Sequence, residues 1–129
     1  MGEETLPLIH STKDVIAQAV YMRDKTREHL MALFLNARNE MIYKKPMFVG
    51  TLNANLVHPR EIFQEALKQN AASVILVHNH PSGDPEPSED DLEITKRIIE
   101  AGKIMGIEVL DHIIITKTKV FSFKENKLL

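Results

Sequence analysis

Residues 73–91 read SVILVHNHPSGDPEPSEDD, and this stretch decides the fold. Ser73 to Val77 is continuous and rich in β-branched side chains, the pattern of a strand buried on both faces. Pro81 to Pro87 is dense in Pro, Gly and Asp, so the strand gives way to a loop there. Ser88 then opens a helix. Ser88-x-x-Asp91 spells a capping box, in which the hydroxyl accepts the Asp91 N–H and the carboxylate reaches back. Strand, loop and helix in succession point to an α/β protein, whose sites tend to lie beyond the carboxyl ends of the strands.

His78 and His80 stand at that end. Side chains at i and i+2 of an extended backbone leave on the same face, so both imidazoles can reach one ion. Asp91 lies in the first turn of the helix, and the loop can fold it back beside them. Two His, one carboxylate and an open fourth position is the pattern of catalytic zinc. A water in that position would have its pKa lowered to about 7. Taken singly, each part has a plainer explanation. The capping box needs no metal, and two close His are often surface polarity alone. Together, with a strand before and a helix after, they favour a metal site.

The flanking sequence reads as further elements. Ser11-Thr12-Lys13-Asp14 is a second capping box, opening a helix with Val15, Ile16, Ala19, Val20 and Met22 on its buried side. His29 to Leu35, a turn at Asn36-Ala37-Arg38-Asn39, and Met41 to Val49 give strand, turn and strand. Pro46 cannot donate to a ladder, so its strand belongs at an edge or carries a bulge. Pro59 suits a first helical turn, with Ile62, Phe63, Ala66 and Leu67 on one face. The helix after Ser88 turns Leu92, Thr95, Ile98, Ile99 and Met105 inward and stops at Gly106. Ile107 to Thr116 and Val120 to Phe123 close the chain as two strands. The order α-β-β-α-β-α-β-β predicts a mixed sheet with helices packed on it, in a single domain over residues 1–129.

Composition narrows the function. Hydrophobic residues make up 43% and charged residues 26%, a globular mix. No apolar run is long enough for a membrane span. The opening MGEETLPLIH is acidic and lacks the basic and apolar regions of a secretory signal. There is no cysteine, so any metal must be held by His and carboxylates, and a cytoplasmic setting is the default. Net charge is −2, the densest basic cluster is Lys44-Lys45, and there is no Trp. That argues against an autonomous nucleic-acid-binding module, which needs clustered cations and stacking platforms.

The spacing H-x-H-x7-S-x2-D over His78, His80, Ser88 and Asp91 matches the JAMM (MPN+) motif position for position. The phrases GTLNANLVHPREIF, AASVILVHNHPSGDPEPS and GIEVLDHIII resemble the JAB domain of the RadC family, and the likeness runs over nearly the whole chain. The resemblance implies a cytidine-deaminase-like α/β/α sandwich and a zinc-dependent, peptidase-like site. It implies His78, His80 and Asp91 as zinc ligands, and Ser88 as a stabiliser of the oxyanion of a tetrahedral intermediate. The family usually carries a glutamate a few residues before the Gly-Thr dipeptide, to act as general base. Counting back from Gly50-Thr51 puts that place at Lys45, which would repel a dication. Glu40 is five residues further back, about 16 Å along a strand and on the opposite face. Full-length relatives resemble a helix-hairpin-helix segment joined to this domain, which marks the present chain as a trimmed or short form.

Other residues are weighed the same way. Asp111-His112 in an apolar strand is either an outer pair that orients a zinc-bound imidazole or a satisfied core pair. His58 before Pro59 reads as structural. Ser82-Gly83-Asp84 shapes the turn, and Asn79, facing away from its His neighbours, acts as a backbone clamp. His10 and His29 carry no argument. The leading function is zinc-dependent hydrolysis of an amide or isopeptide bond in a peptide substrate. One rival is a metal-stabilised interaction module with little or no catalysis, supported by Lys45. Another is a DNA-repair or mobile-element accessory protein, against which the charge argues. Edge strands would allow pairing into a homodimer.

Overall fold

The computed structural model describes residues 5–129. The first four residues, the head of the acidic opening, lie outside the described residues. Eight elements follow the expected order: α1 (Thr12–Ala19), β1 (His29–Leu35), β2 (Met41–Val49), α2 (Pro59–Lys68), β3 (Ser73–Asn79), α3 (Glu89–Met105), β4 (Glu108–Ile115) and β5 (Val120–Ser122). A 3-10 turn over Val20–Asp24 continues α1. The strands form one mixed sheet in the order β2-β1-β3-β4-β5, with β3 and β4 parallel and every other pair antiparallel.

Period-2 alternation divides the core between the two faces. On one face Leu30, Ala32 and Phe34 of β1, with Val74 and Leu76 of β3, meet Ile62, Phe63 and Ala66 of α2 and Ile94 and Ile98 of α3. On the other, Met31, Leu33 and Leu35, with Ile75 and Val77, meet Val15 and Ala19 of α1 and Met22. This is the expected α/β/α sandwich. β3 lies between β1 and β4 and is buried along its whole length, which explains its unbroken apolar run. β2 is an edge strand, as Pro46 requires. The pairing steps from Leu30↔Phe48 to Met31↔Pro46, leaving Met47 as the extra residue of a bulge. Among the described residues no helix is long and apolar enough to cross a membrane.

Several apolar residues expected inside are outside. Val20 and Leu67 are about half exposed, because α1 tightens into the 3-10 turn at Val20 and Leu67 lies at the rim of its helical face. In α3 the inward line is Asp91, Ile94, Thr95, Ile98 and Gly102, one stripe at helical spacing. Leu92 falls a quarter-turn off that stripe, and Met105 is the last residue of α3. Both are exposed.

Gly102 lets the end of α3 press on the chain that follows. A Cβ there would lie 2.4 Å from the Ile107 carbonyl oxygen and 3.2 Å from Phe63 Cζ. That carbonyl belongs to backbone and cannot swing aside. Gly102→Ala gains about 1 kcal/mol of helix propensity, but overpacking costs typically 1–3 kcal/mol. We expect a net loss of stability, read as a lower denaturation midpoint at unchanged slope.

Candidate metal centre

The sheet register brings the site together. β3 ends at Asn79, and His80 continues it by donating its N–H to the Ile115 carbonyl of β4 (2.9 Å). His78 and His80 therefore leave on one face, the face of α3. Their Nε2 atoms are 2.8 Å apart. The capping box at the start of α3 is complete: Asp91 N–H donates to Ser88 Oγ (3.0 Å), and Ser88 N–H donates to Asp91 Oδ2 (2.9 Å). That box aims the Asp91 carboxylate at both imidazoles. Oδ2 is 3.1 Å from His80 Nε2, and Oδ1 is 3.4 Å from His78 Nε2. The plain and the functional readings of Ser88-x-x-Asp91 are thus one geometry.

A fourth group stands here that sequence reasoning missed. Glu28 Oε1 lies 3.7 Å from His80 Nε2 and 4.0 Å from His78 Nε2. Glu28, His78 and His80 each offer a donor atom, all within 4.8 Å of one another. The cause is register. Leu30 pairs with His78 across the antiparallel β1–β3 ladder, so a residue two places earlier on β1 falls opposite one two places later on β3. Leu30 shares a face with His78, and Glu28 shares it too. Three hydrogen bonds hold this short segment. Gly50 N–H donates to the Glu28 carbonyl (2.8 Å). Asn79 accepts the His29 N–H at Oδ1 (2.7 Å) and donates from Nδ2 to the Arg27 carbonyl (2.9 Å). Asn79 is the clamp expected of it, and what it clamps is the backbone on either side of Glu28.

The proton positions in the cluster follow from its partners and its burial. His80 Nδ1 faces the Asp84 carbonyl at 2.8 Å, which can only accept, so Nδ1 carries a proton there. The Ser82-Gly83-Asp84 turn supplies that carbonyl, with Gly83 at φ 90°. Burial pushes the His78 pKa down and the His112 pKa well down, so both are neutral. Burial alone would lower His80 as well, but the Asp91 carboxylate and the Asp84 carbonyl outweigh it and the net shift is upward. Burial would raise Asp91, yet its contacts with His78 and His80 hold it far below the usual carboxylate range. Three donor atoms thus converge with the Asp91 carboxylate ionised. Ligands bonded to a tetrahedral zinc at 2.0–2.1 Å would be about 3.3 Å apart. The separations of 2.8, 3.1 and 3.4 Å bracket that value, so the residues present fit such an ion. Beside them opens a cleft of about 690 Å3, lined by Arg27, Glu28, Gly50, Thr51, His80 and Asp84 among others.

The model of the RadC-like JAB domain matches residues 9–128. The chain belongs to that family. A UPF0758 protein of Geobacillus kaustophilus is 58% identical over 104 residues, covering 81% of this chain and 46% of that protein. One of Desulforamulus reducens is 50% identical over 130 residues, covering 100% of this chain and 57% of its own length. One of Bacillus cereus is 53% identical over 111 residues, covering 83% and 49%. The chain spans about half the length of the curated relatives it matches.

Two expectations for this JAB domain are corrected by its structure. Lys45 does not stand beside the imidazoles, where Glu28 is found instead. It lies on β2, the strand beyond β1, and its Nζ sits 3.6 Å from Glu65 Oε2 of α2. Glu40 also lies elsewhere, accepting the Asn36 side-chain N–H. Lys45 is half-exposed but Glu65 is buried, so Lys45→Ala should leave metal content near wild type and lower stability by about 1–3 kcal/mol, because it strips the cation from a buried carboxylate. Elemental analysis and a melting curve check this. Second, Asp111 and His112 do not act together. Adjacent strand residues face opposite ways, and Asp111 turns from the site. It accepts from Ser122 Oγ (2.6 Å) and from the Lys124 and His112 N–H groups, closing off the C-terminal turn. His112 alone reaches His78. His58 is the exposed residue before α2, with no side-chain cap bond.

Proposed function

We propose that this domain is a zinc-dependent hydrolase of the JAMM type, cleaving an amide or isopeptide bond in a peptide substrate. The observation that carries the reading is the Glu28 carboxylate. It is partly exposed, on the cleft side of the cluster formed by His78, His80 and Asp91. Such a cluster alone serves binding. A carboxylate beside it that makes no hydrogen bond from its side chain among the described residues, and that opens to the cleft, serves proton transfer.

When bound, zinc supplies the Lewis acidity that makes a water nucleophilic near neutral pH. The residues do the rest. His78, His80 and Asp91 hold the ion. Glu28 accepts a proton from the attacking water and returns it to the departing amine. Ser88 Oγ already accepts the Asp91 N–H, which leaves its own proton to donate toward the oxygen that gains charge at the carbonyl. The absence of cysteine agrees with a cytoplasmic setting, which we include in the proposal.

The non-catalytic reading rested on Lys45 at the general-base position. With Glu28 beside the imidazoles, that support is gone. The test is paired: zinc content of the purified protein, and cleavage of fluorogenic peptide and isopeptide substrates by wild type and Glu28→Gln. Absence of bound metal, or equal cleavage by both proteins, would sink the proposal.

A further inference from the structure

Behind the site, a line of contacts runs from His78 into the core. His78 Nδ1 lies 2.7 Å from His112 Nε2. His112 Nδ1 lies 2.6 Å from Thr95 Oγ1. Thr95 Oγ1 lies 2.7 Å from the backbone carbonyl oxygen of Asp91, one turn earlier on α3. His78, His112, Thr95 and Asp91 are all at most 1% exposed, so water does not compete for these bonds.

The proton positions follow from the far end. The Asp91 carbonyl can only accept, so the single hydroxyl proton of Thr95 goes to it. Thr95 Oγ1 must then accept from His112, which places a proton on His112 Nδ1. His112 is fully buried and its ring nitrogens meet Thr95 and His78, so a second proton would be a buried charge with no anion bonded to it; its Nε2 is therefore bare and accepts. The donor facing it is His78 Nδ1–H. With Nδ1 donating, the neutral ring of His78 has its lone pair on Nε2, the atom that faces His80 Nε2 and Asp91 Oδ1. Phe123 holds the middle of the line: its ring stacks on His112 at 4.5 Å between centroids and 6° between planes.

We propose that Thr95 and His112 are positioning residues that lock His78 in the tautomer whose Nε2 lone pair faces the metal position. The inference rests on the reading of His78 as a ligand, but the proton arrangement itself requires no metal. It also gives Asp91 a double part. Its carboxylate faces the cluster, while its carbonyl anchors the line of bonds that orients the neighbouring ligand. Outer partners of this kind typically change metal affinity by about 10–100-fold when removed.

Long-range proton–nitrogen correlation spectra of the metal-free protein, at mildly alkaline pH, read the tautomers directly. We expect Nδ1–H on both His78 and His112. Thr95→Val removes the acceptor at nearly constant volume. It should mix the His112 tautomers and weaken zinc binding by about 10–100-fold, while Thr95→Ser retains wild-type affinity. Should Thr95→Val fail to fold, the wild-type spectrum and Thr95→Ser still decide. A proton on His78 Nε2 in the wild type, or wild-type zinc affinity in Thr95→Val, would overturn the proposal. Wild-type protein with the expected tautomers but no affinity for zinc would uphold the relay and refute the metal reading, so the two failures are distinguishable.

Discussion

Glu28→Gln is expected to retain about one zinc per chain and to lose about 10²–10⁴-fold in kcat/KM. Glutamine keeps the shape and the hydrogen-bonding reach of the side chain, but its amide cannot accept a proton from water at neutral pH. The shortest separations in the cluster belong to His78, His80 and Asp91, and Glu28 stands 3.7 Å or more from the imidazole nitrogens. Its loss should therefore spare binding and strike turnover. Elemental analysis alongside steady-state kinetics separates the two effects. A Gln variant that has lost its metal would make Glu28 a ligand instead. One that turns over at the wild-type rate would remove it from the mechanism.

The second large effect concerns the metal. An ion that binds the folded chain and not the unfolded one stabilises it by mass action, about 2.7 kcal/mol at a free concentration one hundred times Kd. For a domain of this size that raises Tm by roughly 8 °C. We expect chelation to lower the Tm of the zinc-loaded protein by such an amount, and zinc to restore it. His80→Ala should melt near the chelated wild type and no longer respond to zinc. His80 is the better choice for this test than His78, because it is partly exposed at the cleft whereas His78 is fully buried against His112. A His80→Ala protein with an undiminished zinc response would place the ion elsewhere.

Local features were legible in the sequence. The capping box from Ser88 to Asp91, the His-x-His spacing and the placement of Pro46 each depend on a few neighbouring residues, and the structure contains all three geometries. Glu28 was hidden because its place is decided by the pairing of two strands some fifty residues apart. Counting along the chain from Gly50-Thr51 led to Lys45, on a strand beyond the one that meets β3. Period-2 alternation, applied backwards from Leu30 once β1 and β3 are paired, leads to Glu28. Thr95 carried a weaker signal, a hydroxyl on the inward stripe of α3, but its partner His112 lies on another element. Asp111 and His112 were read as a pair because they adjoin in sequence, although adjacency in a strand sends side chains to opposite faces.

The same asymmetry bears on how the site would come apart. His78, His80 and Asp91 fall within a single strand–loop–helix segment at the centre of the sheet, stiffened by Pro81, Pro85 and Pro87. Glu28 is brought in by β1, which lies between that centre and the edge strand β2. Proteins open in cooperative pieces, the least supported first. If opening from the β2 edge went far enough to release β1, the Glu28 carboxylate would leave while His78, His80 and Asp91 stayed together, and on the proposed reading such a form would keep its metal ligands and lose its general base.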